Sequence, residues 1–181
     1  GGQSFGAFFP KGLTLELVVN VSENWGIGRD GHMLVSISAD LKRFRQLTIG
    51  KTVVLGRKTL ATFPGGRPLE RRTNLILSAS GILVEGAEVF PDLDALFARL
   101  RRCDLDQVSV IGGASVYRAL LPYCRRAYVT RTFFAPPADT FFPDLDKLES
   151  WSVAEAGPLL EENGVRFQYI DYVNCSPQPV P

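Results

Sequence analysis

The sequence has few residues that could bind a metal ion or act as a catalytic base. Its 181 residues include one histidine, His32, and three cysteines whose spacing matches no zinc motif. A Gly-x-Ser-x-Gly motif is also absent, because Tyr117 stands two residues after Ser115, where the second glycine would be needed. These absences argue against zinc enzymes and serine hydrolases. We therefore expect no metal site and a reaction that depends on an organic cofactor.

The sequence also lacks an excess of charge of either sign and a long apolar run. The 20 lysine and arginine residues and 19 acidic residues give a net charge of +1, which provides no general attraction to nucleic acid or to a membrane surface. No apolar run approaches the roughly 20 residues that cross a bilayer. We expect neither nucleic-acid nor membrane partners, and we expect Cys103, Cys124 and Cys175 to be reduced thiols of a cytoplasmic protein.

Predicted strands and helices alternate along the chain, which predicts an α/β fold with a mostly parallel sheet covered by helices on both faces. No convincing helix separates the last strands, so an antiparallel edge is expected there. We expect one domain over 13–174, a flexible leader or cloning remnant over 1–12, and a flexible tail over 175–181. Apolar runs predict strands at 13–21, 52–55, 74–77, 87–90, 108–111, 126–134, 151–153 and 165–173. Capped or amphipathic segments predict helices at 38–48, 92–102 and 114–121.

A glycine pair separates a predicted strand from a predicted helix in the segment 108–117 (VSVIGGASVY). Gly112 and Gly113 allow a ligand to approach the backbone closely, and the free N–H groups of the following helix start suit an anion. A tight strand-to-helix turn without any ligand explains the same pattern equally well.

A second candidate anion site follows the strand at 52–55. Gly56 is followed by Arg57, Lys58 and Thr59, so two cations and a hydroxyl lie where a strand ends and a short helix begins. Ligands of open α/β sheets bind at the carboxyl ends of strands, and arginine can bind phosphate through two hydrogen bonds. Incidental charges at a solvated helix start are the alternative, although cations there oppose the helix dipole.

The segment Ser22–Ile37 is predicted to be a long polar loop. It contains Gly26-x-Gly28-x-x-Gly31, which has the spelling of a dinucleotide fingerprint, but no helix opens at these glycines. A mobile glycine-rich loop that acts as a lid over a ligand is the better interpretation.

Asp40 is a candidate ligand-binding acid. It lies in the first turn of the helix predicted from Ser38, with Ser38 expected as the N-cap. First-turn acids are common simply because the helix dipole favours them. However, the spacing places Asp40, Phe44 and Leu47 on one helical face. A carboxylate on an apolar stripe needs a partner, and a protonated heterocycle or an amidine-like group would suit it.

Taken in order, seven segments resemble motifs of the dihydrofolate reductase family, and the resemblance extends from about Leu13 to Val173. Each motif is modest alone, but their combined order is specific. The segments are 21–28 (VSENWGIG), 38–44 (SADLKRF), 54–59 (VLGRKT), 66–69 (GRPL), 74–78 (NLILS), 110–117 (VIGGASVY) and 139–143 (DTFFP).

The resemblance implies a single-domain, eight-stranded mixed sheet with an antiparallel C-terminal strand and helices on both faces. It implies NADPH-dependent reduction of 7,8-dihydrofolate to tetrahydrofolate, with hydride transfer to C6 of the pterin and protonation at N5. It also implies that dihydrofolate and folate-analogue inhibitors bind, and we expect a monomer.

The resemblance assigns roles to individual positions. Asp40 would hold the 2-amino group and N3 of the pterin, Thr130 would bond to that acid and to the amino group, and Arg72 would pair with the α-carboxylate of the glutamate tail. The remaining substrate contacts implied are Val18, Val19, Leu41, Phe44, Phe63, Leu69, Ile111 and Tyr117. The cofactor contacts implied are Asn20, Ile27, Gly56, Arg57, Lys58, Thr59, Leu77, Ser78, Ala79, Gly112, Gly113, Ala114, Ser115, Val116 and Tyr117.

Four positions depart from the family pattern. Val35 stands where the family usually has tryptophan in the active-site loop, and Asn20 stands where alanine is usual. Ala79 and Ser115 replace residues that often help to bind the adenosine half of the cofactor. Two alternatives therefore accompany the expected activity. One is a pyrimidine-reductase-like relative from riboflavin synthesis, which would not need Asp40 opposite Thr130. The other is a protein that binds the dinucleotide without turnover.

Overall fold

The computed structural model describes residues 12–181, and strands alternate with helices along most of this range. The strands are β1 (Leu15–Val21), β2 (Gly26–Gly28), β3 (Thr52–Gly56), β4 (Thr73–Leu77), β5 (Ala87–Phe90), β6 (Val108–Gly112), β7 (Cys124–Thr132), β8 (Thr140–Phe141), β9 (Trp151–Ala156), β10 (Leu160–Glu162) and β11 (Val165–Asn174). The helices are α1 (Ser38–Thr48), α2 (Arg57–Ala61), α3 (Leu93–Leu100) and α4 (Ala114–Leu120).

The main sheet confirms the predicted α/β class. Eight strands follow one another in the order β10-β11-β7-β1-β6-β3-β4-β5, and all neighbours from β7 to β5 are parallel. β11 runs antiparallel to β7, as expected for the C-terminal strand. A ninth strand, β9, pairs with the second half of β11, while β10 pairs with its first half.

The two faces of the sheet carry separate apolar layers. Alternation along β1 sends Leu15, Leu17, Val19 and Val21 into the larger layer, where α3 and α4 also pack. The opposite face carries a smaller layer to which α1 and α2 contribute Phe44 and Leu60. Helices therefore cover both faces, and the smaller layer lies on the same face as Asp40.

The boundaries of several elements differ from the predictions by a few residues. β1 begins at Leu15, because Leu13 is exposed, and β7 runs from Cys124 to Thr132 instead of 126–134. α3 is shorter than 92–102, since the Asp92 carboxylate accepts a hydrogen bond from the Ala95 N–H and fixes the start of the helix. The loop predicted over Ser22–Ile37 contains β2, which pairs antiparallel with β8.

The prediction that Ser38 caps α1 is wrong. Ile37 occupies the N-cap position, and no side chain of the N-cap bonds to the helix. The carboxylate of Glu162, on β10, accepts hydrogen bonds from the Ser38 and Ala39 N–H groups at 2.7 and 3.2 Å instead. A residue far along the chain thus satisfies the free N–H groups of this helix, and local sequence contains no signal for it.

The two chain ends have different outcomes. The leader expected over residues 1–12 lies outside the described residues except for Gly12. The tail expected over 175–181 lies against the domain, where the Gln178 N–H donates to the Pro122 carbonyl and the Val180 N–H donates to the Leu13 carbonyl. Within residues 12–181, none of the helices has both the length and the apolar character needed to span a membrane.

Candidate active site

Two neutral side chains hold the carboxylate of Asp40, which is half-buried between α1 and the sheet. The Thr130 hydroxyl donates to Oδ1 at 2.5 Å, and the Asn20 Nδ2 donates to Oδ2 at 2.9 Å. Within residues 12–181, no lysine, arginine or histidine forms an ion pair with this acid. A fixed carboxylate without a cationic neighbour suits a ligand with a protonated or amidine-like edge.

Thr132 and Asn20 form a short chain of hydrogen bonds that leads to the Asp40 carboxylate. Neither side chain was predicted from the sequence to contact this acid. The Thr132 hydroxyl donates to Asn20 Oδ1 at 3.1 Å, while the other end of the Asn20 amide faces Asp40. Thr130 and Thr132 are both buried on β7, which pairs in parallel with β1. The sequence showed that asparagine replaces the usual alanine at position 20, but it did not show that the amide faces Asp40.

Contacts to the C-terminal strands hold α1 in place over the sheet. Glu162 accepts the two helix N–H bonds, and the guanidinium of Arg43 lies 4.0 Å from the centre of the Tyr169 ring. Arg43 also lies 3.5 Å from the Asp171 carboxylate. The helix that carries Asp40 is therefore anchored by β10 and β11.

The smaller apolar layer forms one wall beside Asp40. Phe44, Phe63 and Leu69 pack there as half-buried residues against the buried Ile111. These four predicted substrate contacts are thus brought together. Leu41, on the same helix as Asp40, has 49% of its side-chain surface exposed, so it lies at the margin of this wall and is available to a ligand.

Two predicted contact residues belong largely to the packing. Val19 is buried in the larger layer, on the face of β1 away from Asp40, so its side chain does not reach the apolar wall. Tyr117 is buried there too, and its hydroxyl donates to the Val18 carbonyl at 2.6 Å. Burial raises the pKa of the Tyr117 phenol, and the negative charge of Asp40 raises it further. The phenol therefore stays protonated as a donor to β1.

Arg72 has an unused donor. Its buried Nε finds no hydrogen-bond partner among the described residues. Burial lowers the pKa of the guanidinium, the charge of Arg45 lowers it further, and Glu70 opposes both. The segment before it is fixed by Asn74, whose side chain bonds to both backbone groups of Leu69 and to the Arg72 carbonyl. Asn74 orients Leu69 and Arg72 together, a role that the sequence motif did not reveal.

The predicted anion segments meet at the carboxyl ends of β3 and β6, which are neighbouring parallel strands. A Cβ on Gly56 would lie 3.1 Å from Val116 Cγ2, and a Cβ on Gly113 would lie 3.2 Å from Thr59 Oγ1. Gly112 has a φ of 119°, and a Cβ there would lie 3.2 Å from the Tyr117 ring. Only glycine allows the two segments to pack this closely, so together they form one cradle.

Arg57 and Ser78 lie on the rim of one cavity of about 250 Å³, whose other walls are mostly apolar. Arg57 and Lys58 are exposed and form no ion pair within the described part of the chain. The Ser78 hydroxyl is 2.9 Å from that of Ser80. Two residues predicted to hold a phosphate therefore share one opening, and the guanidinium of Arg57 is available there as a donor.

The other predicted cofactor residues surround the cradle with different exposures. Leu77, Val116 and Ile27 pack against the larger layer. Ala79 and Ser115 are exposed, and Ala114 is half-buried at the start of α4. Ile27 also shares a small cavity of about 10 Å³ with Asn20 and Val35. This contact places the loop that carries Val35 directly beside Asn20.

No group of three or more histidine, cysteine or acidic side chains within residues 12–181 could hold a metal ion. The three cysteines, at positions 103, 124 and 175, are unpaired.

Comparisons with known proteins all point to one family. Residues 14–174 match the family described as dihydrofolate reductase. The dihydrofolate reductase of Haemophilus influenzae is 36% identical over 141 residues, 78% of this chain and 85% of that protein. That of Mycobacterium leprae is 37% identical over 151 residues, 81% of this chain and 89% of that protein. The Enterococcus faecalis dihydrofolate reductase, complexed with NADP(H) and RAB-propyl, aligns with a TM-score of 0.79 at 29% identity, covering 90% of this chain and 97% of that structure.

Proposed function

Since the chain belongs to the dihydrofolate reductase family, we propose that it carries out the NADPH-dependent reduction of 7,8-dihydrofolate to tetrahydrofolate with Asp40 and Thr130 at its catalytic centre. The observation that carries the proposal is the pair of donors that fix the Asp40 carboxylate beside an apolar wall. The pyrimidine-reductase alternative has no need of this acid opposite Thr130, so the pairing favours dihydrofolate.

The glycine cradle fits a dinucleotide. A side chain at Gly56, Gly112 or Gly113 would press on Val116, Tyr117 or Thr59, so glycine at these positions lets the two helix starts lie directly on the strand ends, where helix N–H groups can face a phosphate. We assign the 2′-phosphate to Arg57 and Ser78, the pyrophosphate to Lys58 and Thr59, and the contacts with the rest of the dinucleotide to the other predicted cofactor residues. Asn20 would contribute only its backbone, because both ends of its side-chain amide are bonded elsewhere. When bound, NADPH supplies the hydride. The NADP(H) complex of the Enterococcus faecalis relative supports the use of this cofactor.

Asp40 recognises the pterin through its charge and its fixed orientation. Its carboxylate accepts from the 2-amino group and from N3, and its negative charge favours a protonated ring, which is a better hydride acceptor. Thr130 keeps the carboxylate in that orientation by donating to Oδ1. The proton that the reaction requires is delivered at N5.

The apolar wall and Arg72 bind the rest of the substrate. Phe44, Phe63 and Ile111 pack against the flat ring and exclude water, and Leu69 lies beside the aminobenzoyl part. The unused Nε donor of Arg72 suits the α-carboxylate of the glutamate tail, because a guanidinium binds a carboxylate through two parallel bonds.

The direct test is to follow NADPH absorbance with dihydrofolate present. Steady turnover supports the proposed activity. If NADPH were oxidised only with an aminopyrimidine substrate of riboflavin synthesis, the protein would be a pyrimidine reductase instead. Cofactor binding without oxidation of NADPH by either substrate would leave a dinucleotide-binding protein.

Replacement of Arg57 by alanine is expected to weaken NADPH binding by about 10-fold or more, because a charge-assisted bond to the 2′-phosphate is lost. NADH lacks that phosphate, so its Kd should change by less than about twofold. Fluorescence titration of both cofactors measures the difference. Arg101→Ala, an exposed arginine at the end of α3, is the matched control. If Arg57→Ala weakened the binding of NADPH and NADH equally, Arg57 would not be the residue that binds the 2′-phosphate.

Replacement of Arg72 by glutamine is expected to raise the Kd of folate by about 10- to 100-fold, because the glutamate carboxylate loses its cation. A pteridine without the glutamate tail should bind both proteins alike. Arg67→Gln, an exposed arginine in the same connection, is the control. If Arg72→Gln weakened the binding of the tailless pteridine equally, Arg72 would contact the ring or support the fold, and would not bind the glutamate tail.

We further propose that the protein works as a cytoplasmic monomer over a domain of residues 13–174. All the groups assigned above come from a single chain, and the three unpaired cysteines agree with a reducing compartment.

A further inference from the structure

The carboxylate of Asp40 has a second polar neighbour besides Thr130, and that neighbour comes from β1. Asn20 Nδ2 lies 2.9 Å from Asp40 Oδ2, so each carboxylate oxygen receives one donor from the sheet. With both oxygens held, the plane of the carboxylate cannot rotate about its Cβ–Cγ bond. One donor alone would leave that rotation open.

The orientation of the Asn20 amide is itself determined by chemistry. An ionised carboxylate only accepts hydrogen bonds, so the NH₂ end of the amide must face Asp40. Asn20 Oδ1 then faces the Thr132 hydroxyl, which donates to it at 3.1 Å. Thr132 is fully buried and Asn20 is half-buried, so water competes little for these groups.

From this geometry we propose that Asn20 is a positioning residue, held by Thr132, that orients the Asp40 carboxylate for a ligand edge bearing two N–H donors. The inference rests on the proposed function and adds a determinant of substrate affinity to it. Asn20 contacts the acid, whereas the cradle for the cofactor is built from Gly56, Gly112 and Gly113. Loss of the Asn20 amide therefore acts on the pterin and leaves the phosphate end of the cofactor unaffected.

The test measures equilibrium binding of folate to the protein without cofactor, together with the Kd of NADPH. Asn20→Ala is expected to weaken folate binding by about 10-fold, since a bond to a charged group is lost, and to change NADPH binding by less than about threefold. Asn20→Asp keeps the shape but replaces the donor with a second negative charge, so it should weaken folate binding more than alanine does.

Thr132→Val provides the second variant and keeps the side-chain volume. It leaves Asn20 Oδ1 without its buried donor, so the amide is no longer held against Asp40 and folate binding should weaken by about threefold or more. In the Asn20→Ala background the same change should have almost no effect, because Thr132 acts only through Asn20. Thermal unfolding of each variant confirms that it is folded.

Two results would overturn the inference: Asn20→Ala binding folate as tightly as the unmodified protein, or Thr132→Val weakening folate binding equally in both backgrounds. Failure of the proposed function gives a different pattern. In that case the unmodified protein does not bind folate, or Asp40→Asn binds it just as tightly.

Discussion

Asp40→Asn is expected to lower kcat for dihydrofolate by roughly 10²- to 10³-fold at neutral pH, the range found when a fixed electrostatic contact is removed. Asparagine fills the same space but has no charge to favour the protonated ring. It also presents an NH₂ group to one of the two donors that hold the carboxylate, Thr130 or Asn20. The Kd of NADPH should stay within about twofold, because the glycine cradle is unchanged. Single-turnover absorbance and cofactor titration measure the two quantities separately.

The matched control for this result is Asp94→Asn. Asp94 is an exposed acid in the first turn of α3, where the helix dipole alone explains its presence. It should leave both kcat and the Kd of NADPH unchanged. If Asp40→Asn lowered kcat no more than Asp94→Asn does, Asp40 would be an ordinary first-turn acid. If Asp40→Asn reduced cofactor binding and turnover equally, the substitution would be disturbing the fold and not the recognition of the pterin.

Gly112→Ala is expected to weaken NADPH binding by about 100-fold and to lower the free energy of unfolding. A φ of 119° is strained for alanine, and its Cβ would lie 3.2 Å from the Tyr117 ring and 3.4 Å from Thr59 Oγ1. Relief of that contact must displace Tyr117, whose hydroxyl bonds to β1, or Thr59 at the start of α2. Cofactor titration and denaturant unfolding measure the two effects.

Gly81→Ala is the control that distinguishes backbone strain from the collision of the added Cβ with Tyr117 and Thr59. Gly81 also has a positive φ, of 68°, but a Cβ there meets nothing within 4 Å. It should cost a little stability and leave the Kd of NADPH unchanged. Near-normal NADPH binding by Gly112→Ala would show that the cradle tolerates a side chain, and the assignment of the cofactor to this junction would fail.

The parts of the fold that were predictable are those whose signals are local. β5 has the predicted bounds because a short apolar run ends at turn residues, and α1 has its predicted bounds because its apolar spacing fits a helix. β2 was missed since three residues with two glycines have no strand pattern of their own. Its pairing with β8, more than 100 residues away, supplies the structure that the local sequence does not specify.

The candidate site follows the same division. Asp40 and the two glycine segments were predicted from motifs, because each motif lies within a few consecutive residues, whereas Thr130 was assigned only through the family resemblance. The roles of Asn20 and Glu162 depend on neighbours across the sheet, so no spacing along the chain encodes them. The resemblance placed Val19 at the substrate, but its side chain lies in the larger layer, because consecutive residues of a strand face opposite sides and Asn20 faces Asp40.

The order in which strands join the sheet has a consequence for synthesis of the chain. β7 carries Thr130 and Thr132, yet its outer neighbour, β11, is made more than 30 residues later. Until β11 leaves the ribosome, β7 has an unpaired edge and β10, which carries the Glu162 carboxylate that binds α1, has no strand to pair with. A nascent chain that has completed its nucleotide cradle is therefore still inactive and able to pair with another chain, and chaperones that cover bare strand edges would act in that interval.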